Sequence, residues 1–195
     1  MIKLTALPLL STPARLARPE EAGSICNPDD PALTVMTDLQ HHRAITISPE
    51  EMLEFAEKLM VGAGVRLLLV LDARARLAGL ITSRDLHGES ALAATAREKV
   101  PHDALTVAQV MIPAARIETI SLADVRHAQV RDIVKLLCRH GRQHALVTEP
   151  GDEEGTVTVC GIFSITQIGR RLGVTIDPGE RVRSFAEIEH LIAAE

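Results

Sequence analysis

A glycine, a threonine and an aspartate stand at fixed spacing near the middle of the chain, in the segment Gly79-Leu-Ile-Thr-Ser-Arg-Asp85. The segment follows an apolar run and precedes helix-forming residues, so we expect it to join a strand to a helix. Thr82 and Ser83 can cap that helix, and Asp85 falls in its first turn, where a negative charge is favoured. Such a junction offers free N–H groups beside hydroxyls and a carboxylate, which can hold a phosphate or a ribose.

Each polar group of this junction suits a particular part of such a ligand. A ribose presents two adjacent hydroxyls, and one carboxylate can accept hydrogen bonds from both, so Asp85 is the candidate ribose ligand. Thr82 and the backbone amides of Ser83 and Arg84 could hold a phosphate, with Arg84 or Arg66 supplying positive charge. The alternative is structural, because Asp85 and Thr82 are also good helix-capping residues.

Two predicted strands must position the junction. Leu67 to Leu71 is continuously apolar, which is typical of a strand buried on both faces. The polar residues 72–76 are short enough for a hairpin turn, and Leu77 to Ile81 returns as the second strand. Gly79 lies inside that strand, where a missing side chain usually marks a bulge or the close approach of another backbone segment.

Helices are predicted around this hairpin. Ser48-Pro-Glu-Glu51 predicts a helix that begins with Ser48 as its N-cap and ends at Gly62 or Gly64. A second helix is expected from about Arg84 to Val100-Pro101, because a residue before proline disfavours the helical conformation.

The second half of the sequence repeats the first. Gly161-Ile-Phe-Ser164 corresponds to Gly79-Leu-Ile-Thr82, and Ser121 with Asp124 predicts a capped helix that continues to Gly141. Gln167 stands where the first half has Asp85. An amide is uncharged and accepts poorly from two hydroxyls, so a ribose site in the second half is doubtful.

Composition excludes several classes of function. A formal charge of −5, with no tryptophan or tyrosine, argues against nucleic acid binding. Three cysteines without CxxC spacing argue against a zinc site or a disulfide framework and favour a reducing compartment. The adjacent pair His41-His42 does not share a strand or helix face, which favours a solvated turn over a metal site. No apolar run reaches membrane-spanning length, so we expect a cytoplasmic protein without membrane contacts.

The segment from Gly64 to Asp85 resembles the CBS domain, a small β-α-β-β-α regulatory module that usually occurs as a tandem pair, or Bateman module. The nucleotide-contact pattern of that family is Gly, two apolar residues, Thr or Ser, two variable residues and Asp. Gly79 to Asp85 matches it fully, and the flanking Gly64-Val-Arg66 and Val70-Leu-Asp72 also fit. The internal repeat extends the resemblance over residues 33–175, so the chain is similar to stand-alone, bacterial-type CBS-pair proteins.

The resemblance implies an α/β (α+β) fold in which two β-α-β-β-α repeats pack with pseudo-twofold symmetry. It divides the chain into an N-terminal extension (1–32), a first repeat (33–100), a second repeat (101–175) and a C-terminal helical tail (176–195). The tail contains an acidic amphipathic segment, Phe185 to Ala193, predicted to be helical.

The resemblance also implies a cleft between the repeats that binds AMP, ADP, ATP or S-adenosylmethionine. No cofactor is required, and the nucleotide is the expected ligand. The family's positions place the adenine slot at four residues, Thr46, Ile47, Leu67 and Leu69. With the junction and its arginines, the predicted ligand contacts are Thr46, Ile47, Arg66, Leu67, Leu69, Gly79, Thr82, Ser83, Arg84 and Asp85.

Two features depart from the family pattern or leave an alternative open. The proline common before the closing valine of the first hairpin strand is replaced by Leu69 and Leu146 in the two halves. His140, Arg142 and His144 are expected near the second cleft, where they could hold an anion or could be ordinary loop residues.

The implied function is that of a regulator, usually a homodimer, which senses a nucleotide and signals to an unknown partner protein. The alternative is a scaffold that dimerises and acts through protein contacts without a small molecule. Asp85 favours the sensor, whereas Gln167 and the missing prolines favour the scaffold. An enzyme is not expected, because no nucleophile–base pair, metal cluster or phosphate-binding loop is visible in the sequence.

Overall fold

A computed structural model describes residues 25–153 and 155–176. The strands are β1 (Thr37–Asp38), β2 (Thr46–Ile47), β3 (Leu67–Leu71), β4 (Leu77–Thr82), β5 (Ile112–Pro113), β6 (Thr119–Ser121), β7 (His144–Pro150) and β8 (Val157–Ser164). They form two four-stranded sheets, with strand orders β1-β8-β7-β6 and β2-β3-β4-β5. The helices are α1 (Leu53–Ala63), α2 (Ser83–His87), α3 (Glu89–Glu98), α4 (Val107–Val110), α5 (Leu122–Val125), α6 (Val130–Arg139) and α7 (Ile165–Leu172).

The two sheets are built in the same way. Each has a parallel pair, β2-β3 or β6-β7, followed by an antiparallel hairpin, β3-β4 or β7-β8. A two-residue strand completes each sheet on the far side of the hairpin, β5 beside β4 and β1 beside β8. This arrangement confirms the predicted α/β fold of two related repeats. The predicted tail helix and residues 1–24 lie outside the described residues.

The segment that precedes each repeat packs on the other repeat. Ala32 and Val35 are buried in the core of the second sheet, together with α6 and α7. Leu105 and Val107 are buried in the core of the first sheet, together with α1. Each half therefore contributes one segment to the core of the other half, and this exchange stabilises the contact between them.

Helices α1 and α6 both begin later than the sequence predicts. In both cases the cause is a backbone hydrogen bond to a distant segment. The helix predicted from Ser48 begins at Leu53, because the N–H of Val107 donates to the Glu51 carbonyl at 2.8 Å and the N–H of Leu53 donates to the Leu105 carbonyl at 3.0 Å. These tertiary hydrogen bonds hold residues 49–52 in a non-helical path, and the hydroxyl of Ser48 contacts Glu50 instead of capping a helix.

The second half repeats this departure. Ser121 does cap a helix, accepting from the N–H of Asp124 at 3.0 Å, but that helix is only α5. The single helix predicted from Ser121 is therefore wrong. Helix α6 begins at Val130, whose N–H donates to the Asp30 carbonyl at 2.9 Å. This hydrogen bond is equivalent to the one from Leu53 at the start of α1.

Other predicted boundaries are confirmed or corrected locally. Gly64 and Gly173 end α1 and α7 in the left-handed conformation, with φ of 66° and 72°, which glycine adopts at low cost. The helix predicted from Arg84 is divided at Gly88 into α2 and α3. No helix within the described ranges has the length and apolar character needed to cross a bilayer.

Gly79 shows both features predicted for it. The pairing of β3 with β4 shifts by one residue between Val70 and Leu71, so a bulge lies next to the glycine. A Cβ atom at Gly79 would lie 2.5 Å from the carbonyl oxygen of Ile112 in β5. The glycine therefore lets β5 approach β4.

A third apolar cluster lies between the sheets. Its buried members are Leu67, Leu69, Leu80 and Leu146, which come from both halves. Because apolar area removed from water stabilises the contact, this cluster fixes how the two repeats face each other.

Candidate ligand-binding cavity between the repeats

A cavity of about 370 Å³ lies between the two repeats, a size within the usual range for small-molecule sites. Its walls come from β4 and α2 of the first half, from β6, α6 and β7 of the second half, and from the connector that joins β5 to β6. The polar side chains in its lining are Thr82, Arg84, Asp85, Arg116, Glu118, Thr119, His140, Arg142, Gln143 and His144.

Thr82 and Asp85 are joined at the start of α2. One carboxylate oxygen of Asp85, Oδ2, accepts from the N–H of Thr82 at 2.9 Å and from its hydroxyl at 2.5 Å. The other oxygen, Oδ1, lies 3.5 Å from the hydroxyl of Ser90, at the limit of a hydrogen bond. Asp85 therefore caps the helix with one oxygen and keeps acceptor capacity on the other.

The predicted amide cradle for a phosphate is incomplete. The N–H of Ser83 donates to the Arg66 carbonyl at 3.0 Å, and the N–H of Thr82 donates to Asp85. The N–H of Ser83 is therefore occupied within the fold, and of the two amides predicted to hold a phosphate only that of Arg84 remains. The helix α2 is also only five residues long, which limits its dipole.

Three guanidinium groups line the cavity instead. Arg84 is in α2, Arg116 is in the connector, and Arg142 lies between α6 and β7. Arg142 faces Glu118 with Nη2 and Oε2 3.6 Å apart, and both side chains are largely exposed. Within residues 25–153 and 155–176, the side chains of Arg84 and Arg116 make no ion pair or hydrogen bond.

His144 is the most perturbed titratable group in the cavity wall. Burial, together with the positive charge of Arg66, lowers the pKa of His144 to about 4, although the negative charge of Asp85 opposes the shift. The ring is therefore neutral at neutral pH. Its Nδ1 atom is buried and has no hydrogen-bond partner within the described structure.

The structure separates the predicted contacts into two groups. Thr82, Arg84 and Asp85 line the cavity. The others do not form part of its lining: Thr46, Ile47, Arg66, Leu67, Leu69, Gly79 and Ser83. The cavity instead contains Thr119 and Ile120, which are the repeat equivalents of Thr46 and Ile47.

Thr119 and Ile120 were not predicted as site residues, because the sequence prediction placed the adenine slot and the carboxylate in the same repeat. His140, Arg142 and His144 were expected near the second cleft, and they line the cavity that contains Asp85. Applying the pseudo-twofold symmetry to the repeat alignment would have revealed this pairing, since facing repeats bring the helix start of one against the parallel strand pair of the other.

Gln167 is held by a residue of the first half. The hydroxyl of Thr37 in β1 donates to its Oε1 at 3.2 Å. A ribose site at Gln167 therefore lacks both the carboxylate and a free amide oxygen.

The described residues contain no other obvious centre for chemistry. No group of three or more His, Cys, Asp and Glu side chains within them could hold a metal ion. No disulfide joins Cys26, Cys138 and Cys160, and Cys26 and Cys160 are buried in the core of the second half.

Comparison with known proteins identifies the fold. The CBS domain family matches residues 33–91. No curated protein shows significant similarity to the chain. Among solved structures, an uncharacterized conserved protein from Pyrococcus horikoshii superposes with a TM-score of 0.53 at 18% identity, covering 78% of this chain and 98% of that one.

Two similar structures are CBS-domain proteins by name. A CBS-domain containing protein from Agrobacterium tumefaciens has a TM-score of 0.50 at 18% identity, covering 68% of this chain and 88% of its own. A conserved CBS domain protein from Thermoplasma acidophilum has a TM-score of 0.50 at 18% identity, covering 82% of this chain and 76% of its own. Residues 33–91 therefore match the CBS domain family, and the two symmetric sheets share the fold of solved CBS-domain structures.

Proposed function

We propose that this protein is a regulatory CBS pair that senses an adenosine-type nucleotide (AMP, ADP, ATP or S-adenosylmethionine) in the cavity between its repeats and signals to a partner protein. The observation that carries the proposal is the composition of that cavity. It combines Asp85 of the first half with Thr119 and Ile120 of the second half and with three arginines.

The ribose would be held by Asp85. Its Oδ2 atom is used by Thr82, but Oδ1 has only the long contact with Ser90. A carboxylate oxygen has lone pairs for more than one donor, so Oδ1 can accept from the two adjacent hydroxyls of a ribose while the cap stays intact.

The base would lie on the apolar part of the lining. That part is formed by Leu80, Ile112, Ile117, Ile120, Leu136, Leu137 and Leu146. A purine is flat and largely apolar on its faces, so side chains of this kind favour its transfer from water. The strand β6 is at the edge of its sheet, so its backbone can supply polar groups beside such a slot.

The alternative function, a ligand-free scaffold, is favoured by a different observation. Phe55 on α1 is 48% exposed and Leu92 on α3 is 67% exposed. A contiguous exposed apolar patch is typical of a surface that meets another chain. We propose a homodimer that buries Phe55, and Phe55→Glu should then convert a dimer into a monomer in light scattering after gel filtration.

The two functions are separated by thermal unfolding in the presence of AMP, ADP, ATP and S-adenosylmethionine at millimolar concentration. A ligand that binds only the folded protein at 100 times its Kd adds about 2.7 kcal/mol to the free energy of unfolding. We expect a rise of several degrees in Tm with at least one nucleotide. The rise should be absent in Asp85→Asn, which retains an oxygen to cap α2.

The result that would overturn the sensor is the absence of any shift with all four compounds in a protein that is folded. If that protein is a dimer and Phe55→Glu is a monomer, the scaffold function is supported instead. A shift that persists in Asp85→Asn would show that Asp85 does not hold the ribose.

A further inference from the structure

We infer that the cavity selects a nucleoside polyphosphate over a monophosphate, and that Arg116 on the connector is the residue that sets this selectivity. The inference rests on the proposed function and names the class of nucleotide that the site takes. It assigns a role to a residue outside the Gly-to-Asp motif of the first half.

The first step is that the backbone contributes little to anion binding here. The N–H groups of Thr82 and Ser83 are both occupied by acceptors of the protein itself. Apart from the N–H of Arg84, phosphate binding in this cavity therefore depends on side chains. Guanidinium groups are well suited to it, because their planar array of donors matches phosphate oxygens.

The second step is the balance of charge in the lining. Arg84, Arg116 and Arg142 face two carboxylates, Asp85 and Glu118. Asp85 is engaged at the helix cap, and Glu118 lies 3.6 Å from Arg142, which is longer than a charge-assisted hydrogen bond. Arg84 and Arg116 have no acidic partner in the part of the chain that the structure describes.

The third step is where these groups come from. Arg84 adjoins Asp85 in sequence, so it serves the phosphate nearest a ribose held by that carboxylate. Arg116 and Arg142 belong to the connector and to the second half, so the positive charge of the lining comes from both halves. A di- or triphosphate carries more anionic oxygens than a monophosphate, so it can engage more of these three guanidinium groups at once. S-adenosylmethionine carries a positive sulfonium and is disfavoured.

Arg116 is the better test of selectivity, because Arg142 has Glu118 as a competing partner and Arg84 adjoins the ribose site. The experiment is titration calorimetry with adenosine, AMP, ADP and ATP at constant ionic strength, without divalent cations. Three proteins are compared: wild type, Arg116→Gln, and Arg74→Gln as the matched control. Arg74 lies in the β3–β4 hairpin turn, is exposed and is absent from the lining.

In the wild type we expect affinity to rise from adenosine through AMP to ADP and ATP, with ATP at least about tenfold tighter than AMP, since each added charge-assisted contact strengthens binding. Arg116→Gln should lower ATP affinity by about tenfold and leave adenosine affinity unchanged, because the lost contact is with phosphate. Arg74→Gln should match the wild type for every compound.

Two outcomes overturn the inference while leaving the proposed function standing. One is AMP binding as tightly as ATP in the wild type. The other is Arg116→Gln weakening adenosine and ATP by the same factor, which would indicate a general disturbance of the cavity. If none of the four compounds binds the folded wild type, the inference fails, and the proposed function fails with it unless S-adenosylmethionine raises the Tm.

Discussion

Leu67 and His144 occupy the same position in the two sheets, since Leu67 lies opposite Thr82 on the adjacent strand and His144 lies opposite Ser164. Leu67 is buried in the apolar cluster between the sheets, whereas His144 lines the cavity and has a buried Nδ1 without a hydrogen-bond partner. The repeats therefore differ in polarity at a point where their backbones are equivalent.

His144 should make the stability of the protein depend on pH. Its pKa is lowered to about 4 in the folded state from 6.5, so the unfolded chain binds the proton first as the pH falls. The stabilisation from the neutral ring is complete above pH 6.5 and is lost between pH 6.5 and 4. We expect the free energy of unfolding in urea to fall by about 1–3 kcal/mol across this window from this residue.

The variant His144→Leu, which places the first-half residue in the second half, provides the control. It should flatten the pH dependence between 6.5 and 4 and raise stability at pH 7, because it also removes an unpaired buried nitrogen. An unchanged pH profile in this variant would assign the acid sensitivity to other groups.

The capping role of Asp85 can be separated from its role in binding. Asp85→Ala should lower the free energy of unfolding by about 1 kcal/mol through loss of the cap. Gln109→Ala is the matched control, because Gln109 accepts from the N–H of Thr106 at 2.8 Å in the same way and is absent from the cavity lining. Similar stability losses are expected from both, measured by urea denaturation.

Only Asp85→Ala should abolish the rise in Tm with nucleotide. If the rise in Tm with nucleotide is the same in Asp85→Ala and Gln109→Ala, Asp85 caps the helix but does not bind the ligand.

Gly79 and Gly161 should respond differently to the same substitution, although they are equivalent in the repeat. A Cβ at Gly79 meets the carbonyl oxygen of Ile112 at 2.5 Å, which is backbone and cannot rotate away. A Cβ at Gly161 meets the side chain of Met36, with Sδ at 2.5 Å, and methionine is flexible. We expect Gly79→Ala to destabilise by about 2–3 kcal/mol and Gly161→Ala by about 1 kcal/mol or less.

The measurement for these glycines is the free energy of unfolding from urea titration, with circular dichroism to check the fold. Equal losses at both sites would mean that β5 moves away from β4 as easily as Met36 rotates.

Glu118→Gln should strengthen binding of an anionic nucleotide. The substitution removes one negative charge from the cavity and releases Arg142 from a partner at 3.6 Å. ATP affinity in titration calorimetry should rise about three- to tenfold at low salt, and the gain should shrink at high salt through screening. Glu153→Gln, an exposed change outside the lining, is the control and should have no effect. Weaker binding in Glu118→Gln would indicate that Glu118 contacts the ligand.

The sequence by itself determined the features that depend on neighbouring residues. The hairpin of β3 and β4 follows from an apolar run, a polar turn and a returning strand, and the structure confirms it. The helix end at Gly64 follows from a backbone conformation that other residues rarely adopt. The contact between Thr82 and Asp85 was also predictable, because Asp85 lies three positions after the N-cap residue Thr82.

Tertiary structure decided where the long helices begin. Ser48 and Ser121 are both good caps, yet α1 and α6 begin at Leu53 and Val130. The reason is that backbone groups just before each helix are paired with a distant segment, as in the bond from Leu53 N–H to the Leu105 carbonyl. A local pattern cannot show that its hydrogen-bonding groups are already used elsewhere.

Tertiary structure also decided which residues share the cavity. The sequence identified Asp85 and Thr82, whose positions are fixed by one short segment, but their facing residues come from Thr119 and from His144 in the other half. The apolar faces that include Leu69 and Leu146 pack against each other, and that packing brings the helix start of one repeat against the parallel strands of its partner. Asp85 could therefore be predicted from a seven-residue pattern. The arginines and the histidine that line the same cavity could not, because their positions depend on how the two sheets pack to exclude water from their shared face.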